Sequence, residues 1–167
     1  MFNAKKTIPT IVLGTSILFS VVAYASPPVG TSVKIQSVGY DIVNGSYNTY
    51  RPTVLDLGTK YIYTRNSSSK NWKLVSVGLG FYNIKSTSRP NGCIYDSSGS
   101  KLAKFDSSCN SNEPRAEWKF IETHQGSGQY NIQNGIGRCL QVDNYRDRLK
   151  AVTCNPQNPL YQLFTVN

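Results

Sequence analysis

Short runs of alternating apolar and polar residues recur through the second half of the chain. The alternation is visible in five segments: KLVSV at 73–77, YNIKS at 82–86, WKFIE at 118–122, KAVTC at 150–154 and LFTVN at 163–167. A period of two residues is typical of strands that bury one face. Turn-forming clusters such as RPNG at 89–92 and HQGSGQ at 124–129 separate the runs. No long stretch has helical apolar spacing, so the pattern predicts an all-β fold.

The strand segments recur at a step of about 45 residues. Trp118 follows Trp72 by 46 residues, and Gln162 in YQLF, where the tryptophan has been lost, follows Trp118 by 44. Other landmarks repeat at spacings of 45 to 49 residues: Tyr82 and Tyr130, Cys93 and Cys139, Cys109 and Cys154, and Ile35 and Ile84. We therefore expect three copies, with boundaries near 71–77 and 117–123. They would share one core, with Trp72 and Trp118 as its largest members.

The first 25 residues have the composition of a signal peptide. A basic start, MFNAKK, precedes an apolar run at 11–22 and the small-residue sequence AYAS at 23–26, so we expect cleavage after Ala25 and export to the periplasm and then the medium. An uncleaved anchor is the alternative, although the apolar run is short for a membrane span. Residues 26–32, with Pro27 and Pro28, predict an extended arm or a frayed terminus. The domain proper is predicted over 33–167.

All four cysteines lie in the part predicted to be exported, where disulfides form. A zinc site would lack its usual close spacing, because the chain has no C-x-x-C pair and one histidine. Four cysteines allow three pairings. In each of the last two copies one strand ends at the first cysteine and a return strand ends at the second. This arrangement favours Cys93–Cys109 and Cys139–Cys154.

Composition limits the chemistry of the chain. The formal net charge is +9 and falls to +7 without Lys5 and Lys6. A basic surface suits an anionic cell surface or an acidic partner, and a solvated surface is the simpler interpretation. No nucleic-acid partner is expected for an exported protein. His124 lies alone in a turn-rich segment, and no catalytic or metal motif is present, so we predict a non-enzyme without cofactor or metal.

Several short motifs carry a family resemblance: GCIYD, SSCN and EWKF in one copy, then RCLQVDN, VTCNP and YQLF in the next. Over 33–167 the chain resembles the ricin-B-type lectins, which implies a β-trefoil of three repeats and carbohydrate binding. More narrowly it resembles the lectin-like binding subunits of bacterial cytolethal distending toxins. The C subunit is closer than the A subunit, because no lipid-attachment cysteine follows the leader.

The toxin resemblance implies a non-catalytic subunit that binds a host-surface glycan or receptor. It also implies a complex with a nuclease subunit of DNase I type and a second lectin-like subunit. A free-standing secreted lectin is the alternative from another class, and an inhibitor or structural trefoil without a glycan role is a third.

The resemblance also nominates sugar-contacting residues. The lectin family places an aspartate two residues after the first cysteine, where this chain has Tyr95 and Gln141, and aspartates follow one and two residues later. On a pleated strand those aspartates point differently. The asparagines after the second cysteines are alternatively turn residues. The candidate glycan-binding residues are Tyr95, Asp96, Asn110, Gln141, Asp143, Tyr145 and Asn155.

Overall fold

The computed structural model describes residues 26–38, 41–43, 46–48, 54–57, 62–65, 71–97, 99–110, 112–143, 148–155 and 159–167. Regular structure in these ranges is almost all β, which confirms the predicted class. The strands are β1 (Ser32–Val33), β2 (Ile35–Ser37), β3 (Asp41–Val43), β4 (Ser46–Asn48), β5 (Val54–Leu57), β6 (Ile62–Arg65), β7 (Trp72–Gly78), β8 (Phe81–Ser86), β9 (Cys93–Ser97), β10 (Leu102–Asp106), β11 (Trp118–Glu122), β12 (Gln129–Asn134), β13 (Arg138–Asp143), β14 (Arg148–Thr153) and β15 (Leu163–Val166). A 3₁₀ turn, η1 (Pro159–Gln162), precedes the last strand.

The N-terminal segment precedes the first strand. The predicted leader, residues 1–25, lies outside the described residues. Residues 26–31 form no strand, and the Gly30 amide donates a hydrogen bond to the Leu74 carbonyl at 3.2 Å. Within the described ranges, no helix has the length and apolar character that crossing a bilayer requires.

Seven strands close into a barrel. Antiparallel pairing runs from β1 through β7, β8, β11, β12 and β15 to β2. Only Lys34 separates β1 from β2, so the ring closes through this one interrupted strand. At the closure Lys34 and Asn167 exchange backbone hydrogen bonds of 2.7 and 3.0 Å. Closure removes exposed strand edges and defines an interior.

Three equivalent positions on the barrel strands form the centre of the core. Trp72 pairs in register with Ser86, Trp118 with Asn134, and Phe164 with Ser37. The three aromatic side chains are fully buried, which confirms the predicted core role of both tryptophans. Phe164, rather than Gln162, therefore occupies the third position, and the step between successive positions is 46 residues each time.

Within the described residues, three two-stranded hairpins pair with barrel strands and are numbered here in chain order, and β3 and β4 form a separate two-stranded sheet. The hairpin strand β5 pairs with β2, β9 with β8, and β13 with β12, and each is followed by its return strand. Disulfides Cys93–Cys109 and Cys139–Cys154 close the second and third hairpins, with Cα–Cα distances of 5.3 and 4.9 Å. These are the pairings that the sequence favours. Each closed loop stabilises by roughly 3 kcal/mol in the chain-entropy model.

The turn between β7 and β8 carries an unusual residue. Leu79 and Gly80 have φ values of 51° and 77°, so both central residues of the turn are left-handed. Such turns prefer Asn-Gly, and a leucine there carries a steric cost of roughly 1–2 kcal/mol. The Leu79 side chain is 96% exposed and therefore recovers none of that cost by packing within the described chain.

Candidate functional site

The hairpin β9–β10 presents one apolar and one polar face. Ile94, Ala103 and Phe105 point inward and are buried. On the outer face Tyr95 is half-buried and lies directly opposite Lys104 in the strand register. Cross-strand neighbours have Cβ atoms within about 5.5 Å of each other, so the Tyr95 ring and the aliphatic part of the Lys104 side chain lie side by side.

A later loop completes the wall beside Tyr95. The Asp96 amide donates a 3.0 Å hydrogen bond to the carbonyl of Arg115, which fixes that residue next to β9. The result is an open depression of about 400 Å³. Its lining residues are Tyr95, Ser97, Gly99, Ser100, Lys104 and Arg115. It therefore offers an aromatic face, two hydroxyls and two cations.

Asp96 lies on the inner side of the same strand. Its carboxylate is fully buried, pairs with Arg138 at 2.9 Å and accepts a 3.1 Å hydrogen bond from the Asn134 amide. Arg138 also donates to the Ala151 carbonyl. Burial raises the pKa of Asp96, and the nearby Arg138 charge opposes this rise. Asp96 thus fastens the Tyr95 hairpin to β13 and does not face the depression.

The third hairpin has different chemistry at the matching positions. Gln141 lies opposite Lys150, as Tyr95 lies opposite Lys104. The Lys150 ammonium pairs with Asp143 at 3.0 Å. The side-chain oxygen of Gln141, Oε1, accepts a 2.9 Å hydrogen bond from the side-chain amide of Gln162, which is buried. Gln141 and Lys150 are therefore both bound to other side chains of the protein.

The remaining candidates occupy separate places. The Asn110 side chain accepts a 3.1 Å hydrogen bond from the Asn112 amide and acts as a turn residue, which was its alternative interpretation. Asn155 is exposed, and its backbone amide donates to Gln162 at 2.9 Å. Tyr145 lies outside the described residues. The glycan-binding role of all seven candidates stays a prediction.

Sequence reasoning missed Lys104 and Arg115. Lys104 could have been found by pairing the strands between Cys93 and Cys109 antiparallel, which brings it opposite Tyr95. Arg115 lies in a loop, and no sequence signal places it there.

Comparisons with known proteins identify solved structures that have a similar fold. No family model matches the chain, and no curated protein matches it in sequence. The Haemophilus ducreyi cytolethal distending toxin structure is 15% identical with a TM-score of 0.57, covering 91% of this chain and 87% of that chain. The designed 3-fold symmetric protein ThreeFoil is 15% identical with a TM-score of 0.55, covering 81% and 98%.

A plant protein has the same fold. It is a non-toxic homologue of type II RIPs from Momordica charantia, bitter gourd, solved in complex with α-methyl-D-galactoside. It is 20% identical with a TM-score of 0.58, and the match covers 80% of this chain and 47% of that chain. The chain thus resembles ricin-B-type lectins and cytolethal distending toxin subunits in fold, as the motifs indicated.

Replacing Arg138 with methionine would leave the Asp96 carboxylate buried without its cation. We expect Arg138→Met to lower the free energy of unfolding by about 3 kcal/mol at neutral pH, because the uncompensated charge is costly. The pKa of Asp96 would rise further once the attraction to Arg138 is lost. Protonation in the folded state would then relieve the cost as the pH falls, so the deficit should shrink at acidic pH. Urea unfolding at several pH values measures both effects.

Lys150→Met is the matched control, because it removes the cation from the more exposed pair with Asp143. We expect a smaller loss than for Arg138→Met, because the Lys150 and Asp143 side chains are 33% and 8% exposed, against 21% and 0% for Arg138 and Asp96. Equal losses for the two variants, or a deficit for Arg138→Met that does not change with pH, would contradict the structural role of the buried pair.

Proposed function

We propose that the chain is a β-trefoil of three repeats that binds carbohydrate and performs no catalysis. The closed barrel, the hairpins attached to β2, β8 and β12, and the 46-residue step of Trp72, Trp118 and Phe164 support the threefold arrangement. The resemblance in fold to a threefold designed protein and to a lectin solved with a galactoside supports it further.

One observation carries the carbohydrate-binding role. Tyr95, at the position where the lectin family holds a sugar-contacting side chain, lines an open depression together with two serines. A tyrosine ring offers an apolar face for a sugar ring and a hydroxyl for hydrogen bonding. The matching residue of the third hairpin, Gln141, is bound to Gln162. We therefore assign binding to the second hairpin.

The finer part of the proposal concerns delivery. The chain is exported through residues 1–25 and serves as the cell-binding subunit of a secreted toxin of the cytolethal distending type. It holds a nuclease subunit beside a second lectin-like subunit. The similarity in fold to the toxin from Haemophilus ducreyi supports this role. An exposed leucine in a left-handed turn supports it too, since strained residues concentrate at functional sites.

The alternative is a free-standing secreted lectin. It shares the depression at Tyr95 and needs no partner. Assembly with partner subunits therefore distinguishes the toxin subunit from the free-standing lectin. A structural or inhibitory trefoil would show neither sugar binding nor assembly.

Removing the Tyr95 ring should weaken sugar binding while the fold persists. We expect Tyr95→Ala to reduce affinity about tenfold for the glycans that the protein binds on an array, because stacking on an aromatic face is lost. Isothermal titration with the best array glycan measures the change. Gln141→Ala, the matched change in the third hairpin, should leave affinity within about twofold. An array without any bound glycan, or equal losses for the two variants, would contradict the assignment.

Replacing Leu79 should weaken assembly without weakening the fold. Asparagine tolerates the left-handed turn, so Leu79→Asn should unfold at the same or higher denaturant concentration than the parent. When co-expressed with adjacent genes for a DNase I-type protein and a second trefoil, the variant should capture less of both than the parent does. Ile136→Asn, at another exposed apolar position, is the control. No capture by the parent chain would favour the free-standing lectin.

A further inference from the structure

The depression at Tyr95 is cationic. Lys104 and Arg115 are two of its six lining residues within the described part of the chain, and no carboxylate is among those six. We infer that its ligand is an acidic sugar, carrying a carboxylate or a sulfate, which stacks on Tyr95 and places its anionic group between these cations. This inference deepens the proposed carbohydrate-binding function and rests on it.

Lys104 and the matching lysine of the third hairpin, Lys150, differ in their charge partners. Lys150 holds the matching position and is neutralised by Asp143 at 3.0 Å. The residue in the second hairpin that matches Asp143 is Ser97, which carries no charge. In the part of the chain that the structure describes, Lys104 forms no ion pair. Its charge is thus available to a ligand.

Arg115 is anchored through its backbone, and its half-exposed side chain pairs with a carboxylate at the surface. Its carbonyl accepts the Asp96 amide, so the residue cannot drift from the wall. Its guanidinium lies 3.5 Å from the Glu113 carboxylate, and both side chains are 45% exposed. Exposed ion pairs contribute little to stability. A ligand carboxylate or sulfate can therefore compete with Glu113 for this guanidinium, whose planar fork suits such anions.

Two uncharged polar side chains also line the depression. The hydroxyls of Ser97 and Ser100 lie 2.6 Å apart, and Ser97 also donates to the Leu102 carbonyl at 3.1 Å. Hydroxyls that already share one hydrogen bond still have lone pairs for sugar hydroxyls. The depression thus combines cations, an aromatic ring and neutral hydroxyls, and a free inorganic anion would not engage all three.

The test compares three probes that share one disaccharide: lactose, 3′-sialyllactose and lactose 3′-sulfate. We expect the purified protein to bind at least one acidic probe about tenfold more tightly than lactose, a difference that equals about 1.4 kcal/mol. The two acidic arms distinguish a carboxylate from a sulfate. Lys104→Met and Arg115→Met should each remove most of this preference. Lys150→Met should retain it.

Each other outcome overturns the inference in a distinct way. Equal affinity for lactose and both acidic probes would exclude acidic specificity and leave the proposed carbohydrate binding intact. Competition by sodium sulfate as effective as lactose 3′-sulfate would indicate a general anion site. Failure to bind any glycan, on the array or in titration, would remove the proposed function and this inference together.

Discussion

Closure of the barrel through one short interrupted strand is the constraint on which the molecule depends. The residues 32–37 pair with β7 in their first half and with β15 in their second, and Lys34 meets Asn167 at the junction. Three strands distant in sequence are thereby held around one interior, where Trp72, Trp118 and Phe164 are fully buried. Full burial of side chains this large dominates the energetics of a small core.

The barrel fixes the positions of the hairpins, and the side chains at matching positions of the second and third hairpins distinguish the candidate site. Because each hairpin is anchored to a barrel strand, the same surface position recurs with new side chains. In the third hairpin Gln141 and Lys150 are bound by Gln162 and Asp143. In the second, the corresponding pair faces a depression and is accompanied by Arg115 from a loop that Asp96 holds. A repeated framework thus leaves polar groups lining a depression at one copy, whereas at another copy the matching polar groups are bound within the protein.

Much of this architecture could be predicted from the sequence, because strand alternation, turn residues and cysteine spacing are local signals. The sequence aligns Gln162 with the two tryptophans as the third repeat landmark, because the tryptophan itself is lost there, whereas the constant 46-residue step leads to Phe164. Asp96 was nominated as a sugar ligand, yet it is two residues from Ile94 and so shares its inward face. Its burial depends on Arg138 from another copy, a long-range contact that sequence spacing does not reveal. For the same reason the position of Arg115 beside Tyr95 could not be predicted from the sequence.

The central claim is that the second hairpin binds an acidic glycan at Tyr95 while the third does not. Two-dimensional ¹H–¹⁵N NMR during titration with the best-binding acidic lactose derivative tests it most directly. The account predicts that amide shifts concentrate at Tyr95, Lys104 and Arg115, with Gln141 and Lys150 unchanged. Shifts centred on Gln141 and Lys150, or distributed evenly over both hairpins, would contradict it.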